Sequence, residues 1–119
     1  MTEPVTFLND LLARTEARDG TAFEWGQIVS EMNALADVHT PEAHDLLVRL
    51  VAPGPDIPLA AGSAIPHLMA PRDMLRMLAI QMLPEEQLAV VQPHLDTIVS
   101  SEISSPLQAM ARRRMRVPQ

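Results

Sequence analysis

Residues Ala43 to Leu68, AHDLLVRLVAPGPDIPLAAGSAIPHL, decide the fold class. Ala43, Leu46, Leu47, Leu50 and Val51 recur at helical spacing, while Glu42, His44, Asp45 and Arg49 fall on the opposite side. Pro53-Gly54-Pro55-Asp56 must then be a turn, because two prolines flanking a glycine cannot continue a helix. Asp56 can cap a second helix running from Ile57 to Met69. Its residues Ala60, Ala61, Gly62, Ser63 and Ala64 are so small that a neighbouring helix can approach closely. Pro66 should kink or end that helix. The stretch reads as a helical hairpin.

The same punctuation extends in both directions. Eleven prolines and four glycines cut the 119 residues into pieces of helical length. Upstream, Val5, Leu8, Leu11, Leu12 and Thr15 line one face of a helix that Asp19-Gly20 closes near Arg18. Thr21 followed by Glu24 has the form of a capping box, and Trp25, Ile28, Val29, Met32, Leu35 and Ala36 make the apolar stripe of a second helix ending near His39. Thr40 and Pro41 are the cap and first residue of the third. Downstream, Pro71 opens a segment in which Met74, Leu75, Met77, Leu78, Ile80 and Met82 leave only Arg72, Asp73, Arg76 and Gln81 polar. Most of its circumference should be buried at the centre of the fold. Pro84-Glu85-Glu86 starts a further helix carrying Leu88, Val91, Leu95, Ile98 and Val99, with Pro93 as an internal kink. Ser104-Ser105-Pro106 starts the last, which runs through Leu107, Met110 and Ala111 into a run of arginines. The expected fold is all-α, a compact array of about six or seven short antiparallel helices. It forms one domain over residues 1–119, with an N-terminal helix in 1–20, a helical core in 21–111 and a basic tail in 112–119.

Composition narrows the function classes. Hydrophobic residues make up 47% of the chain, but Phe7, Phe23 and Trp25 are the only aromatics, which favours helix packing over aromatic-rich sheets. The absence of cysteine excludes disulfides, thiolate metal sites and cysteine nucleophiles. No apolar run approaches the roughly 20 residues that span a bilayer, and Met1-Thr2-Glu3-Pro4 lacks a basic n-region, so a cytoplasmic protein without a membrane partner is expected. The net charge is −6, yet four of the nine basic residues, all arginines, are Arg112, Arg113, Arg114 and Arg116. The body is acidic and the tail basic.

Asp45 to Leu50, the turn Gly54-Pro55-Asp56, and Leu59 to Ile65 resemble the first helix, turn and alanine-rich second helix of a HEAT-type repeat. Val90 to Val99, with Pro93, followed by Ser104 to Met115, resembles a second such unit. Arg72 to Leu83 stands between them as an unpaired second helix. Pro-His-Leu also occurs twice, at Pro66 and at Pro93. Pro58 replaces the basic residue common early in the family's second helix, and the windows differ in length. The resemblance implies a scaffold that binds proteins, or less often nucleic acids, on a concave surface.

Three groups of residues carry candidate chemistry. His39, Glu42 and His44 are two imidazoles and a carboxylate at a helix junction, a donor set that zinc accepts. Their spacing crosses a proline break and does not put both rings on one helical face, which favours a solvated set with His39 at a helix C-terminus. Met74 and Met77, with Met69 and Met82, suit core filling first, then an adaptable groove for a partner, and least a soft thioether site for Cu(I). Arg112, Arg113, Arg114 and Arg116 can pair with phosphates or with an acidic protein surface, or can dock on the body of the chain. Fifteen carboxylates argue against extended nucleic-acid binding. His67 and His94 have no partner at triad spacing, and Glu85-Glu86 suits a helix start better than an acid/base pair. The expected function is a non-enzymatic protein–protein interaction module without a cofactor, an adaptor, chaperone-like or immunity-type binder. It would act through Arg112, Arg113, Arg114, Arg116, Met74 and Met77, with a homo-oligomer left open. The alternatives are a metal- or histidine-dependent enzyme centred on His39, Glu42 and His44, and nucleic-acid binding through the tail.

Overall fold

Six helices follow one another in the computed structural model, which describes residues 4–60, 70–100 and 105–115: α1 (Pro4–Ala17), α2 (Trp25–Leu35), α3 (Pro41–Val51), α4 (Pro71–Met82), α5 (Glu85–Ser100) and α6 (Ser105–Met115). No strand forms among the described residues, and the fold is all-α. The helix α3 is built as its sequence dictates. The Thr40 hydroxyl accepts from the Ala43 N–H at 3.2 Å, Pro41 fills the first turn, and Ala43, Leu46, Leu47, Leu50 and Val51 are the residues it buries. Between α3 and α6 lies α4, while α5 packs on α6 and α3, and α1 closes the other side against α2 and α3. One continuous core joins Leu8 and Leu11 of α1, Met32 of α2, Leu46 and Leu50 of α3, Leu75 and Ile80 of α4, Leu95 and Ile98 of α5 and Leu107 of α6. Each of these side chains removed from water contributes about 1.5–3 kcal/mol before chain entropy is subtracted.

Several expectations change. Residues 57–60 do not start a helix. Instead the Phe23 N–H donates to the Pro58 carbonyl at 2.9 Å and the Ala60 N–H to the Phe23 carbonyl at 2.7 Å, a short parallel bridge centred on Phe23 and Leu59. Pro58 takes part as an acceptor only, which its missing N–H permits. The same pairing holds Phe23 extended, so the proposed Thr21–Glu24 capping box does not form: α2 begins at Trp25, and Glu24 at its N-cap makes no side-chain cap. The Phe7 ring meets Phe23 edge to face, with centroids 6.2 Å apart. The small-residue run Ala61 to Ala64, the Pro66 kink and His67 lie outside the described residues. Pro93 sits inside α5, which continues to Ser100, and the Thr97 hydroxyl donates to the Pro93 carbonyl at 3.0 Å.

The end of α1 is closed differently from the expected Asp19-Gly20 stop. The Asp19 N–H donates to the Arg14 carbonyl at 3.3 Å and the Arg18 N–H to the Thr15 carbonyl at 3.2 Å, the two bonds of a Schellman motif. The residue that takes the left-handed conformation is Arg18, with φ 54°, where a glycine is ordinarily found. Asp19 accepts from the Thr21 N–H at 2.9 Å, and that bond holds its carboxyl below the ordinary aspartate range. Arg18→Gly should therefore raise the free energy of unfolding by about 1 kcal/mol, read as a higher midpoint in urea. An unchanged or lower midpoint would show that the Arg18 side chain stabilises the fold by as much as its backbone costs.

Candidate functional site

Two arginines four residues apart share a helix face. On α4 this face is the buried one: Arg72 and Arg76 are each 6% exposed, and of the four polar residues expected to mark the uncovered edge only Gln81 is exposed. Their guanidinium groups meet the C-terminal end of α3. Arg72 donates from Nη1 to the Leu50 carbonyl at 3.0 Å, and from Nη2 to the carbonyls of Ala52 at 2.9 Å and Arg49 at 3.4 Å. Arg76 donates from Nε to the Val51 carbonyl at 2.8 Å. A helix leaves its last four carbonyls without internal partners, and here Arg49, Leu50 and Val51 receive theirs from another helix. The negative end of the α3 dipole thus faces two buried cations. Asp73 adds a carboxylate 3.4 Å from Arg76 Nη1. Burial lowers the Arg72 pKa to about 10, the like charge of Arg76 acts in the same direction, and Glu16 and Asp73 oppose it. The group stays cationic at neutral pH.

The helix that supplies these arginines is itself capped from afar. Its N-cap residue, Ala70, offers no side-chain acceptor, and Asp56 Oδ1 accepts from the Arg72 N–H at 3.1 Å as well as from the Ile57 N–H at 2.9 Å. Asp56 is a helix cap, as its place after the turn suggested, but for a helix that begins fifteen residues later. At the other end, Arg114 donates from Nη1 to the Gln81 carbonyl at 3.1 Å and from Nη2 to the Leu83 carbonyl at 2.6 Å.

The sequence-predicted site residues are distributed as follows. Arg112 and Arg113 are exposed, Arg114 is half-buried in its cap, and Arg116 lies outside the described residues. Met74 and Met77 are half-buried against the core. His39 and Glu42 are exposed and His44 half-buried, and among the described residues no three His, Cys, Asp or Glu side chains gather into a group able to hold a metal ion. Sequence reasoning missed Arg72 and Arg76, whose only visible signal is their four-residue spacing on an otherwise apolar helix. Among the described residues no helix is long and apolar enough to cross a membrane. Comparison with protein-family models, curated proteins and solved structures gave no match, and nothing in it indicates a HEAT-like repeat.

Removing a charged donor while its acceptors stay buried costs more than one ordinary hydrogen bond. Arg72→Met should lower the stability by about 3 kcal/mol in urea denaturation. A loss below about 1 kcal/mol would mean that water replaces the guanidinium at the end of α3. Gly54 belongs to the same centre, since a Cβ there would stand 3.0 Å from Arg72 Nε and 3.3 Å from Nη2. Gly54→Ala should therefore also destabilise, by about 1–3 kcal/mol of overpacking.

Proposed function

We propose that the protein is a non-enzymatic protein-binding module whose partner docks where the C-terminal turns of α4 and α6 meet. The observation that carries this reading is the division of labour within the arginine run. Arg114 is committed to the carbonyls of Gln81 and Leu83, whereas Arg112 and Arg113 are exposed and make no ion pair or hydrogen bond among the described residues. In a chain of net charge −6 these two cations favour an acidic partner surface. Met74 and Met77 flank the exposed Gln81 on the helical wheel of α4, so adaptable apolar contact area adjoins the residue whose carbonyl Arg114 holds. Charged rim and soft apolar centre together suit a protein more than a nucleic acid, which would call for a broad basic face.

The test uses affinity capture from the native source with the wild-type chain and with the double variant Arg112→Glu, Arg113→Glu. Both positions are exposed, so unfolding midpoints should differ by no more than about 0.5 kcal/mol. The expected result is a partner retained by the wild type and lost, at least tenfold, by the double variant and by Met77→Lys. Capture of the same proteins in the same amounts by all three chains would overturn the reading.

A further inference from the structure

Outside the arginine run the chain has five arginines, and four of them, Arg14, Arg18, Arg49 and Arg72, line two adjoining hollows between the C-terminal end of α1 and residues 52–58. The inner hollow, of about 170 Å³, is bounded by Arg72 and Arg49 together with Glu16 and Gly54. The outer one, of about 370 Å³, is bounded by Arg14, Arg18 and Asp56, and the two share Thr15 and Pro55. The inner volume exceeds that of a single water several-fold and accommodates a tetrahedral oxyanion.

Each arginine contributes in a different way. Arg72 is buried and spends three N–H···O contacts on the end of α3, but its Nε–H and second Nη1–H have no acceptor among the described residues. Gly54 lines the inner hollow next to that Nε, so close that a Cβ there would stand 3.0 Å from it. Arg49 is exposed and tethered to the Asn9 side-chain oxygen through one Nη2–H, which leaves most of its fork available. Arg14 is braced by Asp10 at 2.8 Å and Asp19 at 3.3 Å. Arg18 is exposed, makes no side-chain hydrogen bond or ion pair among the described residues, and occupies a left-handed position that glycine would fill at lower cost. Against these four cations stand Glu16 in the inner wall and Asp56 in the outer, the latter with Oδ1 already engaged by two backbone N–H groups. Asp10 and Asp19, which hold Arg14, add two further carboxylates, so the positive excess is confined to the inner hollow, where Arg72 and Arg49 face Glu16 alone.

We propose that the paired hollows bind a small phosphate monoester, with the phosphoryl group in the inner hollow against Arg72 and Arg49 and the ester side toward Arg14 and Arg18. Forked guanidinium donors on two sides of the inner hollow match the several oxygens of a phosphoryl group, which a carboxylate with two oxygens would engage less fully. Glu16 opposes the ligand and sets a limit on its affinity. The site is separate from the partner-docking face of α4 and α6.

The experiment titrates the full chain at pH 7.5 with inorganic phosphate and with glycerol phosphate, against chloride and acetate at matched ionic strength. Thermal unfolding and the NMR signals of the Gly54 amide and the Arg72 Nε–H are followed. A saturable rise in melting temperature with both phosphates, accompanied by shifts of those two signals, supports the site. Arg49→Gln should then weaken binding at least tenfold, Arg18→Gly several-fold although it leaves the fold intact, and Glu16→Gln should tighten it. Three results would each overturn the proposal: a response to chloride equal to that to phosphate, an acetate response as strong as the phosphate response, or phosphate affinity unchanged in both Arg49→Gln and Arg18→Gly.

Discussion

The structure rests on a contact between backbone and charge: the carbonyls that end α3 are received by two buried guanidinium groups of α4. A buried cation is costly unless its donors are satisfied, and a helix end is costly unless its acceptors are. Here each deficit offsets much of the other, although the Nε–H of Arg72 takes no part. The join is made through donors arranged in a planar fork, so a lysine, with a single compact ammonium, could not reach the carbonyls of Leu50, Ala52 and Arg49 together. The chain's exclusive use of arginine thus acquires a structural meaning at Arg72.

From this contact the rest of the architecture follows in both directions. Asp56, in the turn just after α3, caps the start of α4, so the loop that leaves one helix fixes the beginning of the next. Arg114 of α6 closes the end of α4, and the arginine run is partly absorbed into the fold. Exposed pairs such as Arg14–Asp10 contribute little by comparison, because water and salt screen them.

Much of this order is legible in the sequence where the signal is local. Thr40-Pro41 and the stripe Ala43, Leu46, Leu47, Leu50, Val51 define α3 without help from the rest of the chain, and Pro71 and the proline before Glu85 mark helix starts correctly. What escapes is what depends on distant backbone. The Phe23–Leu59 bridge joins segments with no strand pattern, and it overrides both the Thr21–Glu24 box and the helix anticipated at Ile57. Arg72 and Arg76 look like surface residues because the acceptors that make their burial affordable are main-chain atoms, which leave no trace in side-chain identity. The arginine-lined hollows are invisible for the same reason: Arg14, Arg18, Arg49 and Arg72 come from three helices and a helix-end residue, and only the fold brings them to one place.

The direction of the capping relay also bears on how the chain acquires its structure during synthesis. The end of α3 stays unsatisfied until Arg72 and Arg76 have emerged, and the end of α4 until Arg114 has. The C-terminal ends of α3 and α4 are thus each completed by residues translated after them. A ribosome-bound chain stopped before α6 would present α4 with its final carbonyls open, a form with a looser centre and a greater tendency to be recognised by chaperones.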